Sequence, residues 1–186
     1  MKNSPLWLRR LVAVAALGAL VATMPVSSAR SQDVAVGQAT ATVLAVLSVT
    51  ATQSLNFGNV YQGVAKTQDE TSDANSAIFA ITGQASSAIS CFFQLPDYVA
   101  LADGSDRMVI TFSTTDATYA PAAGATPSVP GAGATLNTNP RNLTGTSLGA
   151  GGGAQIFLGG KVIPSVNQAA GAYSADIVLT VAYTGT

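Results

Sequence analysis

Histidine is absent from the 186-residue sequence, and cysteine occurs only once, at Cys91. These counts exclude a histidine-based catalytic triad, a histidine-bearing zinc site and a disulfide within one chain. Charged residues make up only 9% of the sequence, and the formal net charge is −1. Because phosphate binding needs clustered lysine and arginine, nucleic acid and anionic membrane surfaces are poor partners for this chain.

The N-terminus has the three-part order of a secretory signal peptide. A basic start precedes the uncharged apolar run 11–24, which is followed by a proline and the small residues 27–29. This run is shorter than the roughly 20 residues that a membrane-spanning helix needs. We therefore expect cleavage after Ala29, with an uncleaved anchor as the alternative. The exported chain, residues 30–186, keeps five basic residues and nine acids, a net charge of −4.

After residue 29, apolar residues alternate with small or polar ones over short segments that end at Gly, Pro, Asn or Asp. Such segments are typical of β-strands, and no convincing helical period or long repeat follows the signal. We expect one all-β sandwich domain over residues 30–186. The predicted strands are residues 39–51, 54–63, 76–84, 88–95, 106–114, 142–147 and 173–183, and residues 155–165 lead to the closing strand.

Three other stretches are predicted loops. Residues 65–76 carry most of the local acids, residues 119–138 are rich in Ala, Pro and Gly without any period, and residues 149–153 (GAGGG) form a glycine turn. No lysine and no helix start follow the glycine turn, so it is not a phosphate-binding loop.

The closing segment 173–183 has the clearest alternation in the chain. Burial of its inward residues at roughly 1.5–3 kcal/mol each would make it a core strand rather than a frayed end. Its backbone then needs partners on both sides. One edge is expected to pair with an internal strand, and the other with residues 39–51 or with the N-terminus of a neighbouring chain. The inward residues are Tyr173, Ile177, Leu179, Val181 and Tyr183.

The first candidate chemistry is glycoside hydrolysis by a pair of acidic residues. Each acid lies in a turn or on the polar side of a strand, which favours solvated acids, so no catalytic residue is expected. Asp103 and Asp106 could hold calcium weakly, but the spacing lacks a full ligand set and a hairpin turn is the better interpretation. No metal or cofactor site is predicted. The acids are Asp69, Glu70, Asp73, Asp97, Asp103, Asp106, Asp116 and Asp176.

Two other residues have alternative interpretations. Cys91 lies between apolar neighbours and is interpreted as a small buried side chain, with an intermolecular disulfide or a reactive thiol as the alternative. Asn142 begins a glycosylation sequon, a three-residue match that is frequent by chance.

Four features occur together: the Ala/Thr/Val-rich first strand, the step LNFG at 55–58, the turn NQAAGAY at 167–173 and the closing strand. Together they resemble a secreted bacterial β-sandwich family known only as a domain of unknown function, which is similar to spore-coat-U-type and fimbrial subunits. The resemblance implies an immunoglobulin-like (pilin-like) antiparallel sandwich without a known active site, exported through the inner membrane to the cell surface. Its pilin-like relatives complete their sheet with a neighbour's N-terminal segment, whereas the cysteine pair of typical fimbrial subunits is missing here.

The first functional hypothesis is a non-enzymatic, fimbria-like subunit that assembles by edge-strand pairing. Residues 173–183 are the candidate assembly strand, and residues 30–38, with Val34 and Val36, are the candidate donor segment. Partners would be further copies or related subunits, with a periplasmic chaperone. The alternative is a monomeric adhesin that binds carbohydrate or protein through the loop 119–138. A hydrolase using Asp106 is the remaining class.

Signal cleavage is testable on the exported protein. We expect N-terminal sequencing of the chain recovered outside the inner membrane to begin at Arg30, within a few residues, because the small residues 27–29 suit a signal peptidase. Recovery of intact residues 1–29 in the membrane fraction would contradict the prediction.

Overall fold

The computed structural model describes residues 38–185, so the predicted signal peptide and the donor residues Val34 and Val36 lie outside the described residues. The compact unit Thr42–Thr186 is all-β, which confirms the predicted class, and residues 38–185 contain no helix. Accordingly, none of these residues belongs to a helix that could span a bilayer. The strands are β1 (Ser48–Gln53), β2 (Lys66–Gln68), β3 (Ala77–Thr82), β4 (Ile89–Gln94), β5 (Tyr98–Leu101), β6 (Arg107–Thr111), β7 (Ala117–Ala120), β8 (Thr135–Thr138), β9 (Gly153–Leu158), β10 (Gly160–Ile163), β11 (Tyr173–Ser174) and β12 (Val178–Tyr183).

Sheet 1 is antiparallel with the strand order β1-β3-β9-β7-β8. Its central strands β3 and β9 pair over six residues, from Ala77 with Leu158 to Thr82 with Gly153. Phe79 and Ile81 on β3 and Ile156 on β9 are buried on the inner face. Each of these two strands has a partner on both sides, so together they form the centre of the sheet.

Sheet 2 has the order β11-β5-β6-β10-β2, and β12 pairs separately with β4. The pair β12–β4 is connected to sheet 2 through the chain, because β4 is followed by β5 and β11 is followed by β12. Between the paired blocks, the β4–β5 side contributes two more residues than the β11–β12 side, in the segment that contains Pro96. Proline has no N–H to donate to a ladder, so the pairing is interrupted there. The pair β12–β4 therefore continues sheet 2 past a bulge-like break.

The closing strand is thus not continuous over 173–183, as the sequence pattern predicted. Residues 175–177 lie in the break and belong to neither β11 nor β12. The alternation of inward and outward residues keeps its phase across the break, so Ile177 faces the core on the same side as Leu179. The alternation predicts the faces correctly, and the bulge in the partner strand is the reason for the interruption.

Two core clusters lie between the sheets. The larger one joins sheet 1 to β4, and Phe79 and Phe93 meet within it edge to face, with ring centroids 5.1 Å apart. The smaller one lies on sheet 2 and consists of Val99, Met108, Ile110 and Val162. Leu55 packs against both clusters. A residue outside any strand therefore joins the two parts of the core.

Three further predicted strands are wrong in whole or in part. Of the segment 39–51, only residues 48–51 lie in a strand, β1, which pairs with β3 rather than with β12. Residues 54–63 form none, because Gly58 adopts φ +59° and donates its N–H to the side chain of Asn56, which makes a turn.

Residues 142–147 also form no strand. Gly145 has φ +66°, and Ser147 makes only an isolated bridge with Ala88. Conversely, two of the predicted loops contain strands. β2 lies within 65–76, and β8 and the end of β7 lie within 119–138. Only residues 121–134 of the latter segment lie outside strands.

Neighbouring phenylalanines on β4 provide a test of the core. Phe93 is buried and Phe92 is 64% exposed, although the two residues are adjacent. We expect Phe93→Ala to lower the free energy of unfolding by about 3–5 kcal/mol, because it removes a buried ring and leaves a cavity. Phe92→Ala should change it by less than about 1 kcal/mol. Urea denaturation of both variants measures the difference, and equal losses would contradict this packing.

Candidate functional site

The predicted assembly-strand residues lie along one edge of sheet 2. Tyr173 belongs to β11, Ile177 to the break, and Leu179, Val181 and Tyr183 to β12. All five contact buried residues of a core cluster: Tyr173 packs against the smaller cluster and the other four against the larger one. The structure therefore brings these residues together on the inner side of a single edge.

These side chains are only partly buried, although they belong to the core. The edge strand β1 of sheet 1 contacts β12, and its partly buried side chains include Val49. Among the described residues, no strand pairs with the outer edge of β1 or with the outer edge of β12. The two sheets therefore meet along an open seam, which we define by β1 and β12.

The seam continues into a groove of about 1090 Å³, which polar and apolar groups line together. Its floor is the smaller core cluster of sheet 2. One wall is the irregular segment 54–62, and the other consists of residues 168–175 and Ile177. Leu55 and Ile177 line the groove and also contact the larger cluster, so the groove and the seam share an apolar lining.

Apart from β11, the groove walls lie outside the strands, and several of their backbone amides have no acceptor. In the described part of the chain, the amides of Phe57, Val60 and Ile177 donate to no acceptor. Backbone donors that no protein group satisfies are rare where the chain is buried, and they mark positions where another chain or water can bind. The walls therefore offer both apolar surface and backbone groups to an inserted segment.

A polar cluster lies at the groove wall that contains Gln168, Ala169 and Tyr173. The Oδ2 atom of Asp106 accepts hydrogen bonds from Gln168 Nε2 at 2.7 Å, the Ala169 N–H at 2.8 Å and the Tyr173 hydroxyl at 2.7 Å. The bond from the Ala169 N–H, followed by that from Tyr173, lowers the pKa of Asp106. Gln62 Nε2 donates to the Gln168 carbonyl at 2.6 Å and joins the two walls. We call Asp106, Gln168, Ala169 and Tyr173 the Asp106 cluster.

The Tyr183 hydroxyl holds the chain that precedes β1. It accepts a hydrogen bond from the Gln84 N–H at 2.7 Å and donates one to the Ala45 carbonyl at 2.8 Å. The approach is close, since a Cβ added to Gly83 would lie 2.4 Å from the Tyr183 oxygen and 2.9 Å from Leu47. A side chain at position 83 would displace these side-chain ends, and the two hydrogen bonds of Tyr183 hold the end of β12 against sheet 1.

The acids that a hydrolase would use serve the local backbone instead. Asp69, Asp73, Asp103 and Asp116 each accept two hydrogen bonds from a single serine or threonine. Glu70 is buried, and its desolvation raises the pKa of its carboxyl group. Asp69, Asp103 and Asp116 each cap a residue of their own turn, whereas Asp73 binds Ser128 of the loop 121–134.

The candidate calcium ligands bind different partners. Asp103 caps Ser105 within its own turn, whereas Asp106 turns toward Gln168 and the groove. Within residues 38–185, no group of three or more His, Cys, Asp or Glu side chains is arranged to hold a metal ion.

The remaining candidate residues have ordinary positions. Cys91 is buried in the larger cluster, and this burial raises the pKa of its thiol. Asn142 is exposed beside the buried Leu143. The glycine turn 149–153 packs closely against residues 121–123, because a Cβ on Gly153 would lie 2.7 Å from that of Ala123.

The Ala/Pro/Gly-rich loop 121–134 is fastened at two points. Ala123 contacts Gly153 at one end of sheet 1, and Ser128 donates two hydrogen bonds to Asp73, which precedes β3 at the opposite end. The loop therefore crosses the outer face of sheet 1, where Phe157 is fully buried.

Comparison with known proteins identifies no relative of this chain. No family model matches it, and no curated protein or solved structure matches it significantly. The resemblance to secreted β-sandwich subunits stays a prediction, and the functional argument depends on the open seam and the groove.

The Tyr183 clamp is testable with a single-atom change. We expect Tyr183→Phe to lower the free energy of unfolding by about 1 kcal/mol and to speed hydrogen exchange at the Gln84 amide, which loses its acceptor. Tyr61→Phe is the matched control, because Tyr61 is 75% exposed and its hydroxyl bonds to no described residue. Equal effects of the two substitutions would refute the clamp.

Proposed function

We propose that this protein is a non-enzymatic, secreted or cell-surface structural subunit that assembles by edge-strand pairing. The observation that carries the proposal is the unpaired outer edge of β12, whose inward side chains are half-covered members of the core. An added strand would pair with this edge and cover Leu179 and Val181 at the same time.

Two of the other sheet edges are poorly suited to strand addition. β8 pairs irregularly with β7 and contains Asn137 at φ +49°, while β2 has only three residues. Short or irregular edges prevent unwanted pairing between chains. By contrast, β12 has six residues, VLTVAY, without charge, proline or glycine. β1, across the seam, also has six uncharged residues, but they are mostly polar (SVTATQ), so β12 is the open edge best suited to accept an apolar strand.

The donor in this proposal is residues 30–38 of a neighbouring copy, with Val34 and Val36 as its alternating apolar side chains. Nine extended residues span about 30 Å, and the six residues of β12 span about 20 Å. The segment is therefore long enough to follow β12 and enter the groove.

The finer assignments follow from the resemblance. An immunoglobulin-like, pilin-like sandwich that lacks one strand would need export through the inner membrane, a chaperone to cover its open edge and further copies to complete it. The open seam between β1 and β12 supports this assignment. The fastening of loop 121–134 favours assembly over the adhesin alternative, because that loop is bound to sheet 1 rather than extended as a binding loop.

Assembly is tested by electrophoresis of the unheated chain from Arg30 onward in detergent. We expect a ladder of stable multimers, which removal of residues 30–38 abolishes because the donor strand is lost. Heating should reduce the ladder to a single band. A strictly monomeric wild-type chain would rule out the polymerising function.

A pair of neighbouring substitutions locates the acceptor edge. Val181 faces the seam and is half-buried, whereas Ala182 faces solvent on the opposite side of β12. We expect Val181→Lys to reduce the multimers strongly, because an inserted strand would bury the added charge. Ala182→Lys should leave most of the ladder intact. Circular dichroism of both monomers checks that they fold, and equal ladders from the two variants would count against the edge.

A further inference from the structure

The Asp106 cluster joins the wall of the groove to its floor. Asp106 immediately precedes β6, and β6 supplies the floor residues Met108 and Ile110. All three donors to its Oδ2 atom come from the turn that forms the opposite wall, at 2.7–2.8 Å. One carboxylate oxygen therefore determines where this wall lies relative to the floor.

The other hydrogen bonds of the turn stay within it or reach the facing wall, where Gln62 Nε2 donates to the Gln168 carbonyl at 2.6 Å. β11 adds only two residues of pairing with β5, and the Gln168 N–H bonds within the same turn to Ser165. The Gln168 side chain is buried and also donates to the Arg107 carbonyl at 3.2 Å, next to Asp106. The side-chain hydrogen bonds that tie this wall to the floor therefore converge on the start of β6.

The carboxylate suits this position better than a neutral group would. Three donors converge on one oxygen, and hydrogen bonds to an ionised acceptor are roughly twice as strong as those between neutral groups. Its lowered pKa keeps Asp106 ionised at neutral pH. Burial, the first cause, raises the pKa of Tyr173, so its hydroxyl remains a donor. The charged groups nearest to the cluster in sequence are Arg107 and Asp103, on the same turn and strand.

We propose that Asp106 is the positioning residue for strand insertion: its carboxylate fixes the wall 168–173 so that the groove stays open to an incoming segment. This inference depends on the proposed assembly function, and it adds a residue that contacts the wall rather than the inserted strand. It also assigns a role to the acid that a hydrolase interpretation would have used as a catalyst.

Hydrogen exchange at the Ala169 amide tests the positioning directly. We expect Asp106→Ala to speed this exchange about tenfold, because the amide loses a charged acceptor. Asp106→Asn should have an intermediate effect, since one amide oxygen still accepts. Asp103→Asn is the matched control: Asp103 caps Ser105 in the same turn and makes no bond to the wall. Unchanged exchange in Asp106→Ala would overturn the proposal.

The multimer ladder supplies the second measurement, on the same chains from Arg30 onward. We expect the multimer fraction to fall in the order wild type, Asp106→Asn, Asp106→Ala, with Asp103→Asn equal to wild type. Faster exchange with an unchanged ladder would show that the wall does not govern insertion, and would overturn the proposal. If the wild type itself forms no ladder, the assembly function fails, and the exchange measurement alone decides whether Asp106 fixes the wall.

Discussion

The outer edge of β12 carries backbone amide and carbonyl groups that no other described strand pairs, and its inner face carries apolar side chains that no other described element covers fully. Both deficits lie on the same six residues. An edge strand with a polar inner face would tolerate solvent, and a buried apolar strand would have partners on both sides. This strand satisfies neither condition, and the seam and the groove both extend from it.

The rest of the sandwich is built around this edge. Sheet 1 is buried on both faces at its centre, because the larger core cluster covers the inner face and loop 121–134 crosses the outer face. Tyr183 fixes the end of β12 against sheet 1, and Asp106 fixes one wall of the groove. The molecule is therefore held firmly on either side of the seam, so that an open edge can persist beside a well-packed core. A preorganised acceptor of this kind loses less conformational entropy when a strand binds.

Alternation along the chain was enough to predict part of this arrangement. It located β3 within residues 76–84, and Leu179 with Val181 identified the last strand and its inward face correctly. The same reasoning missed β7, because all four of its residues are buried and no alternation remains to be seen. It misread residues 54–63, where the side chain of Asn56 and the positive φ of Gly58 make a turn. Local sequence patterns could not predict the groove, because its wall depends on contacts between distant residues. Asp106 and Gln168, for example, are 62 residues apart.

The central claim is that β12 has an open edge in the monomer which a neighbouring chain covers on assembly. Residue-resolved hydrogen exchange of Val178–Tyr183 in the separated monomer and in the multimer tests it most directly. The account predicts that alternate amides, those pointing away from β4, exchange fast in the monomer and become protected in the multimer. Full protection of all six residues in the monomer, or no change on assembly, would contradict it.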